Sequence, residues 1–278
     1  MEKIKFSVSI CVYGGDNPEH FELALESIFN QTLPPDEVVL FVDGAVGGKT
    51  ACIIEKYESR HDNFRVIRSE KNVGHGNARR ACMENCRYDY IALMDADDIC
   101  TNDRFEKQIN TFLNDKTLSI VGGQINEFID VPQNTVGRRT VPLKDTDIKE
   151  YMKKRCPMNQ MTVMFKKADV NAVGGYKDWY CDEDYYLWIR MAVAGLEFCN
   201  VADNLVFVRV GNEMYKRRGG CKYFASEAKL QRYMFRHNII GVGRYLFNVT
   251  ERLILQVLMP NSLRGWVFKK LAREKAED

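Results

Sequence analysis

The chain has 278 residues, with 40 Lys and Arg against 38 Asp and Glu, a formal net charge of +2. That near balance leaves no basic footprint for nucleic acid, and a hydrophobic fraction of 45% is enough to bury one large core. Nine cysteines without a Cys-x-x-Cys pair fit no zinc pattern and are expected to be unpaired thiols in a reducing cytoplasm.

Residues 1–5 run straight into a strand, so no secretory leader is expected. No apolar run approaches the ~20 residues that cross a bilayer. The expected location is the cytoplasm, extending to the inner face of the cell membrane.

Residues 6–13 (FSVSICVY) place Phe6, Val8, Ile10 and Val12 on one face with small residues opposite, the alternation of a strand. Asn17-Pro18 then reads as N-cap and first helical position, with Phe21, Leu25 and Ile28 at helical spacing. Residues 37–42 (EVVLFV) form an almost wholly apolar run, expected of a strand covered on both faces. Helix over 49–59, strand over 64–68, helix over 77–86 and strand over 90–94 (YIALM) continue the alternation. Strands separated by helices imply right-handed crossovers and a mainly parallel sheet. Ligands of such sheets bind beyond the carboxyl ends of the strands, which singles out Tyr13, Asp43 and the residues after Met94.

The middle is less regular. Residues 131–142 contain two prolines and a glycine and read as a loop. Residues 161–165 read as a strand and Gly174-Gly175 as a turn. A helix is expected over 182–194, with Leu187, Met191 and Ala194 on one stripe and Gly195 as its stop. Residues 198–201 and 205–210 read as two strands. Beyond Gly219 the pattern is helical, ending in a tail with Leu263, Trp266, Val267 and Leu271 among Arg264, Lys269, Lys270, Arg273 and Lys275. Such a basic amphipathic segment suits either an anionic membrane surface or packing on the domain. The organisation expected is 1–215 as the nucleotide-binding and catalytic domain and 216–278 as a helical extension.

The strongest chemical signal is Asp95-Ala96-Asp97-Asp98, directly after YIALM. Three carboxylates at the end of a buried strand repel one another and need shared positive charge. A hard divalent cation, magnesium or manganese, bridging to a diphosphate meets that need; the competing role is an acidic turn in which Asp98 or Asn102 caps the next helix. Tyr13 offers an aromatic face for a nucleobase and Asp43 an acceptor for a base or ribose hydrogen bond; alone, each reads as an edge-of-core aromatic and a plain turn. Residues 72–80 (NVGHGNARR) place Asn72, Gly74 and Gly76 before a helix whose N-terminus can approach phosphate. In the same stretch Arg79 and Arg80 are positioned to pair with that phosphate or with the acidic cluster. Asp182-Glu183-Asp184 opens a helix, where acids suit the dipole and a positioned carboxylate suits general-base chemistry. Lys216-Arg217-Arg218-Gly219-Gly220 reads as a basic flap over a diphosphate or as a solvated connector.

Taken in order, SVSICVY, ALESIFNQTLPPDEVVLFVDG, EKNVGHGNARR, YIALMDADDI, NQMTVMFKK and GGYKDWYCDEDYYLWIRMAVAG resemble the family-2 glycosyltransferases of the GT-A fold over roughly residues 5 to 210. VFVRVGNEMYKRRGG looks like the subgroup of bacterial exopolysaccharide and lipopolysaccharide transferases that includes the amylovoran-type enzymes. The resemblance implies an α/β fold, a Rossmann-like mainly parallel sheet flanked by helices, with a helical C-terminal appendage. It implies inverting transfer from a nucleotide sugar, most often a UDP-sugar, to a glycan acceptor that is polyprenyl-linked. By family position Tyr13, Asp43, Asn72, Gly76, Arg79, Asp95 and Ala96 surround the nucleotide sugar. Asp97 and Asp98 hold the metal, with the register between them open by one residue. Asp184, paired with Glu183, is the catalytic base. Two turns depart from the family: Val12-Tyr13-Gly14 replaces threonine-tyrosine-asparagine, and VDGAVGG replaces the commoner DDGS. The alternatives are a sugar-phosphate nucleotidyltransferase, which needs a basic glycine loop after the first strand where this chain has Gly14-Gly15-Asp16, and a non-catalytic carbohydrate-binding module of the same fold.

Overall fold

The computed structural model describes residues 4–211 and 219–259. Lys216, Arg217 and Arg218 of the expected flap, the expected boundary at 215/216 and the tail from Leu263 onward lie outside the described residues.

The first half follows the alternation read from the sequence. Strands β1 (Phe6–Tyr13), β2 (Glu37–Asp43), β3 (Phe64–Ser69) and β4 (Tyr90–Met94) alternate with helices α1 (Pro18–Phe29), α2 (Gly48–Glu58) and α3 (His75–Asn85). They lie in the order β3-β2-β1-β4, all parallel. Asn17 caps α1 as expected, its side-chain oxygen accepting from the N–H groups of Glu19 (2.8 Å) and His20 (3.2 Å). The run over 37–42 is apolar throughout because β2 is buried on both faces. Val38, Leu40 and Val42 pack with α1 and β1, whereas Val39 and Phe41 pack towards α3. Side chains alternate across a strand, so two covered faces demand two apolar sets.

The second half widens the sheet. It adds β5 (Ile99–Cys100), β6 (Leu118–Phe128), β7 (Thr135–Arg139), β8 (Met164–Lys166) and β9 (Glu197–Arg209). The order continues β4-β8-β6-β9-β5, with β7 on β6. Because β8 is antiparallel to both β4 and β6, and β9 is parallel to β6, β6 and β9 run in the direction of β1 to β4. The sheet is mainly parallel, as expected. Helices α4 (Arg104–Asn114), α5 (Asp145–Met152), α6 (Lys167–Ala172) and α7 (Glu183–Val193) cover its faces. Beyond residue 219 come α8 (Cys221–Arg236) and α9 (Val242–Leu253), the latter continuing into a π-helical turn over Ile254–Leu258.

Four local expectations are corrected. Residues 131–142 are not all loop: β7 pairs with β6, the proline at 132 falling in the turn and β-branched Thr135 and Val136 in the strand. Residues 160–162 form a 3-10 turn rather than strand, because the Thr162 hydroxyl donates to the Asn159 carbonyl (2.7 Å) and receives the Gly123 N–H (3.0 Å). The two strands expected at 198–201 and 205–210 are one, β9, whose register shifts against β6 absorb the residues between them. Ala194 is exposed just past the end of α7 instead of completing its buried stripe.

The last helices belong to the same core: Leu230 and Met234 of α8 pack in one cluster with Leu187, Trp188 and Met191 of α7. A buried polar chain reinforces this. Arg252 of α9 is ion-paired through Nε with Glu227 of α8, which also accepts from the Tyr223 hydroxyl (3.3 Å). The Ser226 hydroxyl lies 2.6 Å from the Tyr180 carbonyl and 3.1 Å from an Asp182 oxygen. Burial, then the Glu227 and Asp184 charges, push the Asp182 carboxyl up to about 9.

Glu227→Ala removes the carboxylate bonded to Arg252 Nε, leaving the buried guanidinium with the more distant Glu251 (3.9 Å) and two backbone carbonyls, and is expected to cost about 3 kcal/mol in urea unfolding, most of it recovered in Glu227→Leu/Arg252→Met. A single-variant loss within error of zero would contradict this pairing. Asp182 supplies a pH test. Folded Asp182 keeps a proton that the unfolded chain releases near its ordinary carboxyl pKa, so its contribution is complete at low pH and is lost as pH rises towards about 9. The wild-type melting temperature is expected to fall from about pH 6 to about pH 8, and Asp182→Asn to flatten that fall. Parallel melting curves for the two proteins would contradict it.

Candidate active site at the carboxyl edge of the sheet

Register brings the strand ends to one edge. Tyr13 is paired with Asp43 across β1 and β2, and Met94, the residue before the acidic cluster, with Ile10. Tyr13 is 46% exposed, its ring available to a flat ligand. Its N–H donates to Asp16 Oδ2 (2.9 Å). Asp43 is buried, and its Oδ1 accepts the Val73 N–H (2.7 Å). The Asn72 side chain reaches the Asp43 carbonyl (3.4 Å) and accepts from the Gly74 N–H (3.2 Å). Gly44 turns here with φ +83°, and a Cβ on it would stand 2.9 Å from the Asn72 nitrogen, so the 72–74 turn lies directly on the end of β2.

Arg79 organises the centre. This buried guanidinium donates through Nη2 to Asp95 Oδ1 and through Nη1 to Glu183 Oε1, both at 2.8 Å. Of the partners left open by the sequence, it takes the acidic cluster; Arg80 is exposed and lies 4.0 Å from Glu84. Burial opposes the Arg79 charge, but Asp95 and Glu183 outweigh it and raise its pKa. Burial likewise opposes ionised Asp95, and Arg79, His75 and Arg104 overcome that and hold its carboxyl below the usual range. Gly76 is buried where α3 meets the start of α7, and a Cβ there would be 3.0 Å from the Lys177 carbonyl. The missing side chain lets α3 approach closely enough for Arg79 to reach Glu183.

The other two aspartates differ in setting. Asp97 projects at the exposed surface of the cluster, where the protein packed around it, then Asp95 and Asp16, push its carboxyl up to about 6. Asp98 is buried and accepts the Arg209 N–H (2.9 Å), while burial and its two neighbours raise its pKa well above the ordinary value. Neither Asp98 nor Asn102 caps the next helix; α4 begins after Asp103, without a side-chain cap bond. Ala96 is buried between the two carboxylates.

The third acidic group sits at the start of α7. Cys181 immediately before it has φ +63°, a left-handed conformation costly for a residue with a side chain and characteristic of functional turns. Glu183 is buried and held by Arg79; Asp184 is half-buried, and its Oδ1 accepts the Tyr185 N–H (2.6 Å). Burial raises the Glu183 carboxyl, with Arg79 opposing and Asp184 adding to the rise.

Among the described residues no three His, Cys, Asp or Glu groups converge as a complete metal site. The donor set still suits a hard cation whose shell is finished by its substrate. Asp95 is committed to Arg79 and Asp98 to the Arg209 backbone, which leaves Asp97 as the outward-facing carboxylate that could hold such an ion. Magnesium characteristically binds through one or two carboxylates together with phosphate oxygens and water.

Arg104 and Arg209 carry no sequence signal of their own, and Asp16 carries only a weak one. Arg104 is fully buried beneath the cluster, donating to the Leu93 carbonyl (2.7 Å) and Gln108 (3.1 Å), a cation directly behind the strand that ends in Asp95. Arg209 arrives from β9 through its pairing with β5. Asp16 has the one local cue, standing three residues after Tyr13 and accepting its N–H.

Comparisons with known proteins identify the family and the fold. Residues 7–171 match the model of glycosyl transferase family 2. The chain is 35% identical, over 97% of its length and 97% of the relative's, to the UDP-Gal:alpha-D-GlcNAc-diphosphoundecaprenol beta-1,3-galactosyltransferase of Escherichia coli. It is 36% identical to the amylovoran biosynthesis glycosyltransferase AmsE of Erwinia amylovora, over 95% of this chain and 98% of that one. Among solved structures, S. aureus TarS 1–349 with UDP-GlcNAc superposes with a TM-score of 0.67 at 16% identity, covering 96% of this chain and 76% of that one. The mannosyltransferase PcManGT of Pyrobaculum calidifontis, in complex with GDP-Man and Mn2+, gives 0.64 at 15%, covering 95% and 72%. These two likenesses establish the GT-A-type fold. The nucleotidyltransferase and the non-catalytic module are set aside: the chain belongs to glycosyl transferase family 2 and is a glycosyltransferase.

Proposed function

We propose that this enzyme transfers a sugar, with inversion, from a UDP-sugar to a hydroxyl of a lipid-linked glycan in bacterial surface-polysaccharide assembly. The observation that carries this reading is the Asp95–Arg79–Glu183 bridge, which makes the strand-end carboxylates and the start of α7 parts of one site. The relative named for galactosyl transfer to a diphosphoundecaprenol acceptor supports the donor and acceptor classes.

Exposure and hydrogen bonding support the following residue roles. Tyr13 stacks on the base, and Asp43 and Asn72 hold the turn that walls it. Gly76, Arg79, Asp95 and Ala96 border the nucleotide, with Arg79 keeping Glu183 in place. Asp184, less buried than Glu183 at the start of α7, takes the proton of the acceptor hydroxyl as it attacks the anomeric carbon opposite the leaving UDP. Asp97, backed by Asp98, is the ligand for magnesium or manganese, which when bound supplies charge neutralisation for the departing diphosphate. Among the described residues no helix is long and apolar enough to cross a membrane; in this proposal the protein works at the inner face of the cell membrane, held there by its basic C-terminal segment.

Asp97→Ala is expected to abolish transfer, by more than about 10³-fold, with the melting temperature essentially unchanged; full turnover in this variant, or in wild type treated with a chelator, would sink the metal assignment. Asp184→Asn is expected to lower kcat by about 10²–10⁴-fold while donor affinity, followed by thermal shift across a panel of UDP- and GDP-sugars, is retained. Unchanged kcat would remove Asp184 from the base role, and stabilisation by GDP-sugars alone would overturn UDP.

A further inference from the structure

Helix α9 is amphipathic in the inverted sense. Its buried face is polar: Asn248 is 2% exposed, Arg252 8% and, one turn on, Gln256 4%. Its outer face is apolar. Val242, Leu246 and Leu253 form one line at helical spacing, and Phe247, Ile254 and Leu258 a neighbouring line. Val242, Leu246, Phe247 and Leu258 are each 58–67% exposed. Gly243 and Thr250, between the lines, carry no charge. Apolar side chains presented together on one helix exceed the scattered hydrophobics of an ordinary surface. The inner face explains why the helix stays: Arg252 is ion-paired with Glu227 and donates to the Lys154 carbonyl (3.0 Å), and Asn248 bridges the Lys153 carbonyl and Gln231.

We propose that this outer face of α9 docks on an anionic lipid bilayer. It deepens the lipid-linked-acceptor reading and rests on that reading only for its purpose. The charge around the face selects this occupant. Arg232, Arg236 and Lys154 are exposed on the neighbouring segments, and on α9 itself the half-buried Arg244 stands beside the exposed Glu251, so cations outnumber the one acid that α9 places at the edge of the face. The chain then continues through residues 260–275, which carry Arg264, Lys269, Lys270, Arg273 and Lys275 against the single acid Glu274, among Leu263, Trp266, Val267, Phe268 and Leu271. An apolar helix face bordered by cations is the pattern of an interfacial membrane helix. Because cations outnumber the acid Glu251 along this rim, two copies packed face to face through α9 would gather net positive charge across a two-fold axis, and the basic tail laid on this face would add charge of the same sign. The position is productive as well. Ser226 of α8 contacts the turn and Asp182 at the start of α7, so the helix pair that meets the lipid also supports the element bearing Asp184.

The test is vesicle flotation of the full chain without sugar donor or acceptor, so that its result is separable from the transfer reaction. Wild type is expected to float with vesicles of roughly 3:7 phosphatidylglycerol and phosphatidylethanolamine and about tenfold less with phosphatidylcholine alone. Leu246→Glu/Phe247→Glu is expected to reduce flotation about tenfold with an unchanged melting temperature, and the milder Leu258→Ser to reduce it independently. Failure of wild type to float, or equal flotation of these variants, overturns the proposal. So does flotation lost in Lys269→Glu/Lys270→Glu but kept in Leu246→Glu/Phe247→Glu, which assigns binding to the tail alone. A wild-type dimer in light scattering that Leu246→Glu/Phe247→Glu converts to a monomer, without flotation, assigns the face to a second copy and overturns it too.

Discussion

A buried guanidinium shared by two carboxylates holds this site together. Arg79 reaches Asp95 and Glu183 at the same distance, 2.8 Å, from a helix that belongs to neither. Burying any one of these charges alone would be prohibitive, and breaking a buried pair typically costs about 3–5 kcal/mol, so the three must be placed together. That requirement propagates outward. Helix α3 must lie against the start of α7, which the absent side chain of Gly76 permits, and the loop before α7 must turn sharply, which Cys181 does at positive φ. The bridge also grades the acids: Asp95 is held below its ordinary range, whereas Asp97 is pushed up to about 6. An outward carboxylate crowded by like charge is well placed to gain from a cation.

The sheet supplies the frame. Its parallel strands end together, so Tyr13, Asp43 and Asp95 share one edge. The strands of the second half bring what the first half lacks. β9 delivers the Arg209 N–H to Asp98 and its Nε to the Asp97 carbonyl. The last helices extend the same logic, since α8 both completes the core around Trp188 and supports the residues leading into α7.

The first half was legible because both-faced burial leaves an unmistakable apolar run in residues 37–42 and 90–94, and because Asn17-Pro18 has one local meaning. Strand β6 was not legible. Its middle reads Gly-Gly-Gln, and that composition answers distant neighbours: Cβ atoms on Gly122 and Gly123 would collide with Asn200 and Leu205 side chains, and Gln124 is buried to bond the Val141 and Val201 carbonyls. The acidic clusters were visible as clusters, but the different settings of Glu183 and Asp184 depend on a contact 104 residues away. In the C-terminal region the basic tail drew notice, whereas the apolar face of α9 shows itself only once Asn248 and Arg252 are seen buried.

In the proposed reaction the carboxylates at the end of β4 and the start of α7 act on one nucleotide-bound cation and its substrate. Crystals grown with UDP and manganese, and measured at the manganese absorption edge, test it directly. One anomalous peak is expected about 2.0–2.5 Å from an Asp97 oxygen, next to the diphosphate, with Arg79 still joining Asp95 to Glu183. A peak remote from Asp97, or UDP seated at a different edge of the sheet, would contradict it.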